Sequence, residues 1–164
     1  MVLATKTRRH KIAQVQPGIC LTLKLFLEQF FNNYEKQERF SYEFISNLRD
    51  KTNLIIDIDI QHLQQILQNI ISNAENAILE NKTGEITLRL KETDQEAIIE
   101  IEDNGKGIDV SVVEHIFDPK FLTHSSSTGL GLPICRKIIE YYKGNLSFET
   151  QADQGTCFKI IFPK

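Results

Sequence analysis

Paired cysteines, long apolar runs, internal repeats and an excess of basic charge are all missing from this sequence. Its three cysteines, Cys20, Cys135 and Cys157, are odd in number and far apart. No two have the spacing of a metal site, which argues against both a zinc centre and a disulfide framework. They read as reduced apolar residues of a cytoplasmic protein. No apolar run approaches the roughly 20 residues of a membrane span. Met1-Val2-Leu3-Ala4 runs into charge too soon for a signal peptide. The chain as given is expected to be soluble, with membrane attachment only through other parts of a parent protein. Lys and Arg number 19 against 22 Asp and Glu, a formal charge of −3. That balance makes no electrostatic case for a nucleic-acid partner. The basic cluster Lys6, Arg8, Arg9, His10 and Lys11 reads as a solvated linker or helix end. What remains is ordinary globular composition, 41% hydrophobic and 25% charged over 164 residues, enough for one domain with its own core.

Hydrophobic spacing divides the chain. Residues 1–17 are polar and basic and stop at Pro17-Gly18, so they are expected to be a linker or the end of a preceding helix, with one domain over 18–164. Leu21, Leu25, Phe26, Phe30 and Phe31 recur at helical spacing and predict a helix over Ile19 to Tyr34. Phe40, Tyr42 and Phe44 alternate as in a strand, and Leu54 to Ile58 reads as a second strand. A long helix is predicted from Ile60 to Asn81, with Asp59 as its N-cap. Two half-buried strands follow, through Ile86, Leu88 and Leu90 and through Ala97, Ile99 and Ile101, joined by a polar turn at 92–95. The irregular stretch 104–128 is long enough to suggest a lid or binding loop, with a short helix-like piece near Val112 to Phe117. A helix from Gly129 to Tyr142 and two closing strands complete the chain. Strands arriving in adjacent pairs between about three helices predict an α+β fold, a two-layer sandwich of a mainly antiparallel mixed sheet against helices.

Three groups of residues carry chemistry. On the long helix, Asn69, Asn73 and Asn76 form a narrow stripe beside the apolar arc of Leu63, Ile66, Leu67, Ile70, Ala74, Ala77 and Ile78. Such a stripe is either a solvated polar edge or a row of amide oxygens facing a cleft. Neutral amide oxygens suit Mg²⁺ beside a triphosphate. Next, Asp103-Asn104-Gly105-Lys106-Gly107 stands where a strand ends. There a carboxylate can accept from an exocyclic amine, and the glycines allow close backbone approach to a flat ring. Finally, Thr128-Gly129-Leu130-Gly131-Leu132 opens a helix. That sequence is either a plain helix start or an anion cradle of backbone N–H groups and helix dipole. Pro133 is tolerated so early in the helix.

The order Asn73-Ala74, Asp103-x-Gly-x-Gly, Phe117-Asp118-Pro119, Thr-Gly-Leu-Gly-Leu and Gly155-Thr156 resembles the ATPase domain of the gyrase, heat-shock chaperone, histidine kinase and MutL superfamily. The likeness runs from about Ile19 to Lys164. The Phe117 box, Thr-Gly-Leu-Gly-Leu-Pro-Ile and the ending Gly144 to Glu149 with Gly155 to Phe158 look like sensor histidine kinases in particular. The resemblance implies ATP and Mg²⁺ as ligands. It makes Asn73 a metal ligand and places Asn69, one turn earlier, toward the phosphates, assisting there and near the metal. It gives Asp103 the adenine amine, with Thr156 in support. Gly105 and Gly107 would let the chain pass the base, and Gly129 and Gly131 would cradle the phosphates with Thr128, Leu130 and Leu132. Residues 108–128 would be the ATP lid, bringing Thr123 and His124 to the nucleotide, with Asn76 at the end of the stripe.

The chain departs from that pattern in the lid. Lys120, Leu122 and His124 stand where many relatives have Phe-Thr-Lys-like residues, so lid charge beside the phosphates is in question. The family also has an acceptor histidine followed by an acidic residue. None of His10, His62, His115 and His124 is so followed, and the acceptor is expected on a separate dimerisation domain of a homodimeric parent, with a response regulator downstream. Other readings are an ATP-hydrolysing clamp, an anti-sigma-type serine kinase and a nucleotide-binding module without transfer activity. A clamp needs an acid where Asn69 stands, because Asn cannot serve as a base toward water.

Overall fold

The computed structural model describes residues 22–34, 38–48, 54–79, 83–119 and 131–164. The expected linker 1–17 and Cys20 lie outside them. Helix α1, Leu23–Asn33, buries Leu23, Phe26, Leu27 and Phe31 at helical spacing. Thr22 before it is extended and makes no side-chain cap, and Ile19 to Leu21 of the predicted helix lie outside the described residues. Helix α2, Ile60–Ala77, begins as the sequence indicates: the Asp59 carboxylate accepts from Gln61 N at 2.7 Å, satisfying one of the orphan donors of the first turn.

The far end of α2 corrects the expectation of a helix to Asn81. The helix stops at Ala77 and Ile78 is extended. Its last carbonyls are taken by other elements. Lys106 N donates to Ala77 O at 3.0 Å, and Arg39 Nη2 donates to Ile78 O at 3.3 Å. The chain then turns so that Ile78 is buried.

Five strands form one sheet: β1 Phe40–Ser46, β2 Gly84–Glu92, β3 Glu96–Asp103, β4 Asn145–Gln151 and β5 Gly155–Pro163, in the order β1-β2-β3-β5-β4. β1 and β2 are parallel and joined through α2, as parallel neighbours require a crossover; every other pairing is antiparallel. Helix α3, Gly131–Tyr141, precedes β4. A single 3₁₀ turn, Val113–His115, replaces the helix-like piece expected at 112–117.

The expected strand at Leu54–Ile58 is not in the sheet. Leu54, Ile56 and Ile58 are buried while Ile55 and Asp57 are exposed, so the alternation is real. Its backbone instead meets α1, where Leu23 N donates to Leu54 O at 2.9 Å. Alternation reports one buried face, not a ladder partner.

The sheet's inner face is apolar: Ile86, Leu88, Leu90, Ala97, Ile99, Ile101, Phe158, Ile160 and Phe162 are all at most 4% exposed. Each Leu, Ile or Phe among them contributes about 1.5–3 kcal/mol of burial. They meet Leu63, Ile66, Leu67, Ile70 and Ala74 of α2 and Cys135 and Ile139 of α3 in one core. The outer face is charged, with Arg89 paired to Glu102 and Lys91 to Glu100. This is the two-layer sandwich expected from the sequence. No helix among the described residues is long and apolar enough to cross a membrane.

Candidate functional site

The site lies along one flank of α2, between the end of β3 and the start of α3. Asp103 is the last residue of β3 and only 5% exposed. Its Oδ1 accepts from Gly105 N at 2.8 Å, which closes the chain into a tight turn directly after the strand. Thr156 of β5 is its partner across the ladder and is also buried, at 4%. A buried carboxylate and a buried hydroxyl are thus fixed side by side by sheet register.

The glycines around them are required by space. A Cβ at Gly105 would fall 2.7 Å from Asp103 Oδ1 and 2.8 Å from Ala77 O. At Gly107, φ is +73° and a Cβ would meet Gln151 O at 2.4 Å, so a side chain is excluded by both conformation and contact. Lys106 between them ties the loop in two directions, giving its N–H to Ala77 O and taking Asp153 N–H at 2.9 Å. Asn104 holds the loop to β2: its Oδ1 accepts from Glu85 N at 3.0 Å and its Nδ2 donates to Thr83 O at 3.2 Å.

Sequence reasoning missed Thr150. Its Oγ1 accepts from Ile108 N at 2.8 Å and lies 3.1 Å from Thr156 Oγ1 and 3.2 Å from Gly155 O. It therefore links the chain leaving Gly107 to the hydroxyl beside Asp103. Its only signal in the sequence is its place opposite Thr156 in the β4–β5 hairpin.

At the other end of the flank, Asn69 and Asn73 are half-buried and Asn76 is exposed. Asn69 abuts the first turn of α3. A Cβ built on Gly131 would sit 3.6 Å from Asn69 Oδ1, and Asn69 Nδ2 donates to Cys135 Sγ at 3.6 Å. Leu132 is half-buried and Pro133 buried in that same turn. Burial pushes the Cys135 thiol up to about 11. From Asn69 to Ala77, which touches Gly105, α2 measures about 12 Å at 1.5 Å per residue. The Asp103 turn and the described start of α3 thus stand about two turns apart along α2.

The loop after Gly107 is pinned before it leaves the described residues. Asp109 Oδ1 accepts from Ser111 N at 2.8 Å and from its hydroxyl at 2.6 Å, which holds the Asp109 carboxyl below its usual range. Phe117 meets Phe148 edge-on at 5.8 Å and lies under the Arg136 guanidinium at 4.0 Å. That contact of a cation with a ring face anchors the Phe box to α3 and β4. Lys120, Leu122, Thr123, His124, Thr128, Gly129 and Leu130 lie outside the described residues. Of the histidines expected not to be acceptors, His62 meets the Tyr142 hydroxyl through Nδ1 at 2.8 Å, and His115 meets Asp118 at 2.8 Å.

Residues 58–164 match the family model described as histidine kinase-, DNA gyrase B- and HSP90-like ATPase. The signal transduction histidine-protein kinase AtoS of Escherichia coli (strain K12) is 38% identical over 122 residues, covering 74% of this chain and 20% of AtoS. Sporulation kinase A of Bacillus subtilis (strain 168) is 30% identical over 144 residues, 88% of this chain and 23% of that kinase. Among solved structures, the nucleotide-free catalytic domain of histidine kinase ThkA superposes with a TM-score of 0.74 at 28% identity, covering 88% of this chain and 93% of that one. The chain spans about a fifth of the length of the curated relatives it matches. The matched span contains α2, Asp103, both described glycine positions after it, Gly131 and Thr156, and the chain belongs to the histidine kinase-, gyrase B- and HSP90-like ATPase family.

Proposed function

We propose that this chain is the ATP-binding catalytic domain of a two-component sensor histidine kinase. It presents the γ-phosphoryl of Mg·ATP to a histidine on a separate dimerisation domain, for relay to a response regulator. The observation that carries the reading is a pair of unlike polar groups about two turns apart along α2. One is a buried carboxylate and hydroxyl, Asp103 and Thr156, at a turn whose glycines leave no room for a side chain. The other is the half-buried amide of Asn69 against Gly131 of α3, with half-buried Asn73 one turn further along α2. A nucleotide has matching ends, a base with an exocyclic amine and a polyanion.

In this reading Asp103 accepts from the adenine amine, with Thr156 and Thr150 holding its surroundings. Gly105 and Gly107 let backbone pass the ring. Gly131 and the first N–H groups of α3 face the phosphates, with Thr128, Gly129, Leu130 and Leu132. Asn73, and Asn69 one turn before it, supply neutral oxygens suited to Mg²⁺. When bound, Mg²⁺ would neutralise charge on the phosphates. Thr123 and His124 belong to the lid side. Phosphoryl transfer asks chiefly for positioning and charge stabilisation, so the domain has no nucleophile of its own. The parent protein would be a homodimer with this domain on the cytoplasmic side.

Asn69 also separates this reading from an ATP-hydrolysing clamp, because an amide cannot deprotonate water. Calorimetry with a non-hydrolysable ATP analogue and Mg²⁺ tests the proposal, with Asp103→Ala as control. Binding of ATP and ADP that the variant loses, its fold intact, is the expected result. No heat at millimolar nucleotide would end it.

A further inference from the structure

We propose that Cys135 is a positioning residue for Asn69: its sulfur takes one amide N–H and so fixes the amide oxygen toward the first turn of α3. The inference rests on the function proposed above for the place of Asn69 beside the phosphates. Cys135 is completely buried, on the inner face of α3. It makes two polar contacts, both with α2. The sulfur accepts from Asn69 Nδ2 at 3.6 Å, and the thiol donates to Ile66 O at 3.9 Å. Both distances suit sulfur, whose hydrogen bonds are long and weak.

The other end of the amide completes the argument. Asn69 Oδ1 lies 3.6 Å from the Cβ position of Gly131, four residues before Cys135 and on the same side of α3. One helix face thus addresses both ends of the amide, sulfur at one and bare glycine backbone at the other. Turned over, the amide would point its NH₂ at Gly131 and lose the sulfur as its acceptor. Its oxygen would then face a sulfur whose proton is engaged by Ile66 O. The observed sense gives the NH₂ its acceptor and leaves the oxygen on the Gly131 side. The thiol donates to Ile66 O and keeps a lone pair for Asn69 Nδ2.

A serine or alanine at this place would separate acceptor from volume. Cys135→Ala removes the acceptor, and Cys135→Ser keeps one on a shorter arm. The Asn69 side-chain amide can be followed by NMR in the nucleotide-free protein, and nucleotide binding by calorimetry with and without Mg²⁺. In Cys135→Ala the Asn69 NH₂ protons should exchange faster with water. The gain in ATP-analogue affinity on adding Mg²⁺ should shrink about three- to tenfold, the effect of one hydrogen bond, while Mg²⁺-free ADP binding is unchanged. Cys135→Ser should restore most of both effects. Unchanged amide exchange in Cys135→Ala would overturn the inference, as would a serine variant as impaired as alanine. The amide-exchange measurement involves no nucleotide. Protection lost in alanine and regained in serine therefore supports positioning even if wild type proves not to bind ATP, a failure belonging to the functional reading alone.

Discussion

In the function proposed above, Asp103, 5% exposed at the end of β3, is the residue that selects the base. Adenine offers it an amine; guanine puts a carbonyl in the same place. A buried unmatched acceptor costs about 1–3 kcal/mol, so ATP should bind about five- to a hundredfold more tightly than GTP. Competition calorimetry reads this directly, and equal affinities would refute the role of Asp103. The two described thiols make a different prediction. Cys135 and Cys157 are both pushed up to about 11 from a usual 9.0, first of all by desolvation. A group whose folded value is raised contributes stability that is complete below its unfolded value and lost as pH climbs through the folded one. Unfolding free energy should therefore fall between about pH 9 and pH 11, by roughly 2–3 kcal/mol for fully buried Cys135 and by less for half-exposed Cys157, whose charge water can screen. Urea midpoints at pH 8 and pH 11 measure the drop, and Cys135→Ala should flatten it.

Elements show where local sequence stops being sufficient. The start of α2 depends on Asp59 and Gln61, two residues apart, and is legible from spacing alone. Asp59→Ala should cost about 1 kcal/mol in denaturant unfolding and leave nucleotide affinity unchanged, since the cap lies at the other end of α2 from the Asp103 pocket. The end of α2 was not legible, because Lys106 and Arg39 decide it and both are remote in sequence. Leu54–Ile58 misled for a related reason: its alternation is local, whereas membership of a sheet needs a ladder partner. The β4–β5 turn combines both kinds of information. Gly155 has φ +114° and a Cβ there would fall 1.9 Å from Asp103 O. Gly155→Ala should destabilise by at least about 1–3 kcal/mol and, unlike Asp59→Ala, also weaken ATP binding by displacing Asp103. Normal ATP affinity in that variant would break the link drawn between the hairpin and the pocket.

At the scale of the molecule, the layered architecture was readable because each amphipathic element declares one buried face. The parallel pairing of β1 with β2 was not, since it depends on α2 crossing between strands far apart in sequence. The candidate site divides in the same way. Asp103, its glycines and the Asn stripe announce themselves by type and order, whereas Thr150 and Cys135 acquire their places only when β4 meets β5 and α3 meets α2. What the assembled domain does follows from what it presents. Incubated alone with labelled ATP, it should acquire no stable phosphohistidine. None of its four histidines precedes an acidic residue, His62 is engaged by Tyr142, and His115 by Asp118. Hydrolysis should be slow, because Asn69 offers no base. On the function proposed above, adding a separate helical acceptor domain should produce label on that domain, weakly, since two unlinked domains lack the high effective concentration that a linker supplies. Acid-labile, base-stable label on this chain alone would instead make it its own acceptor, and His124 would be the first residue to replace.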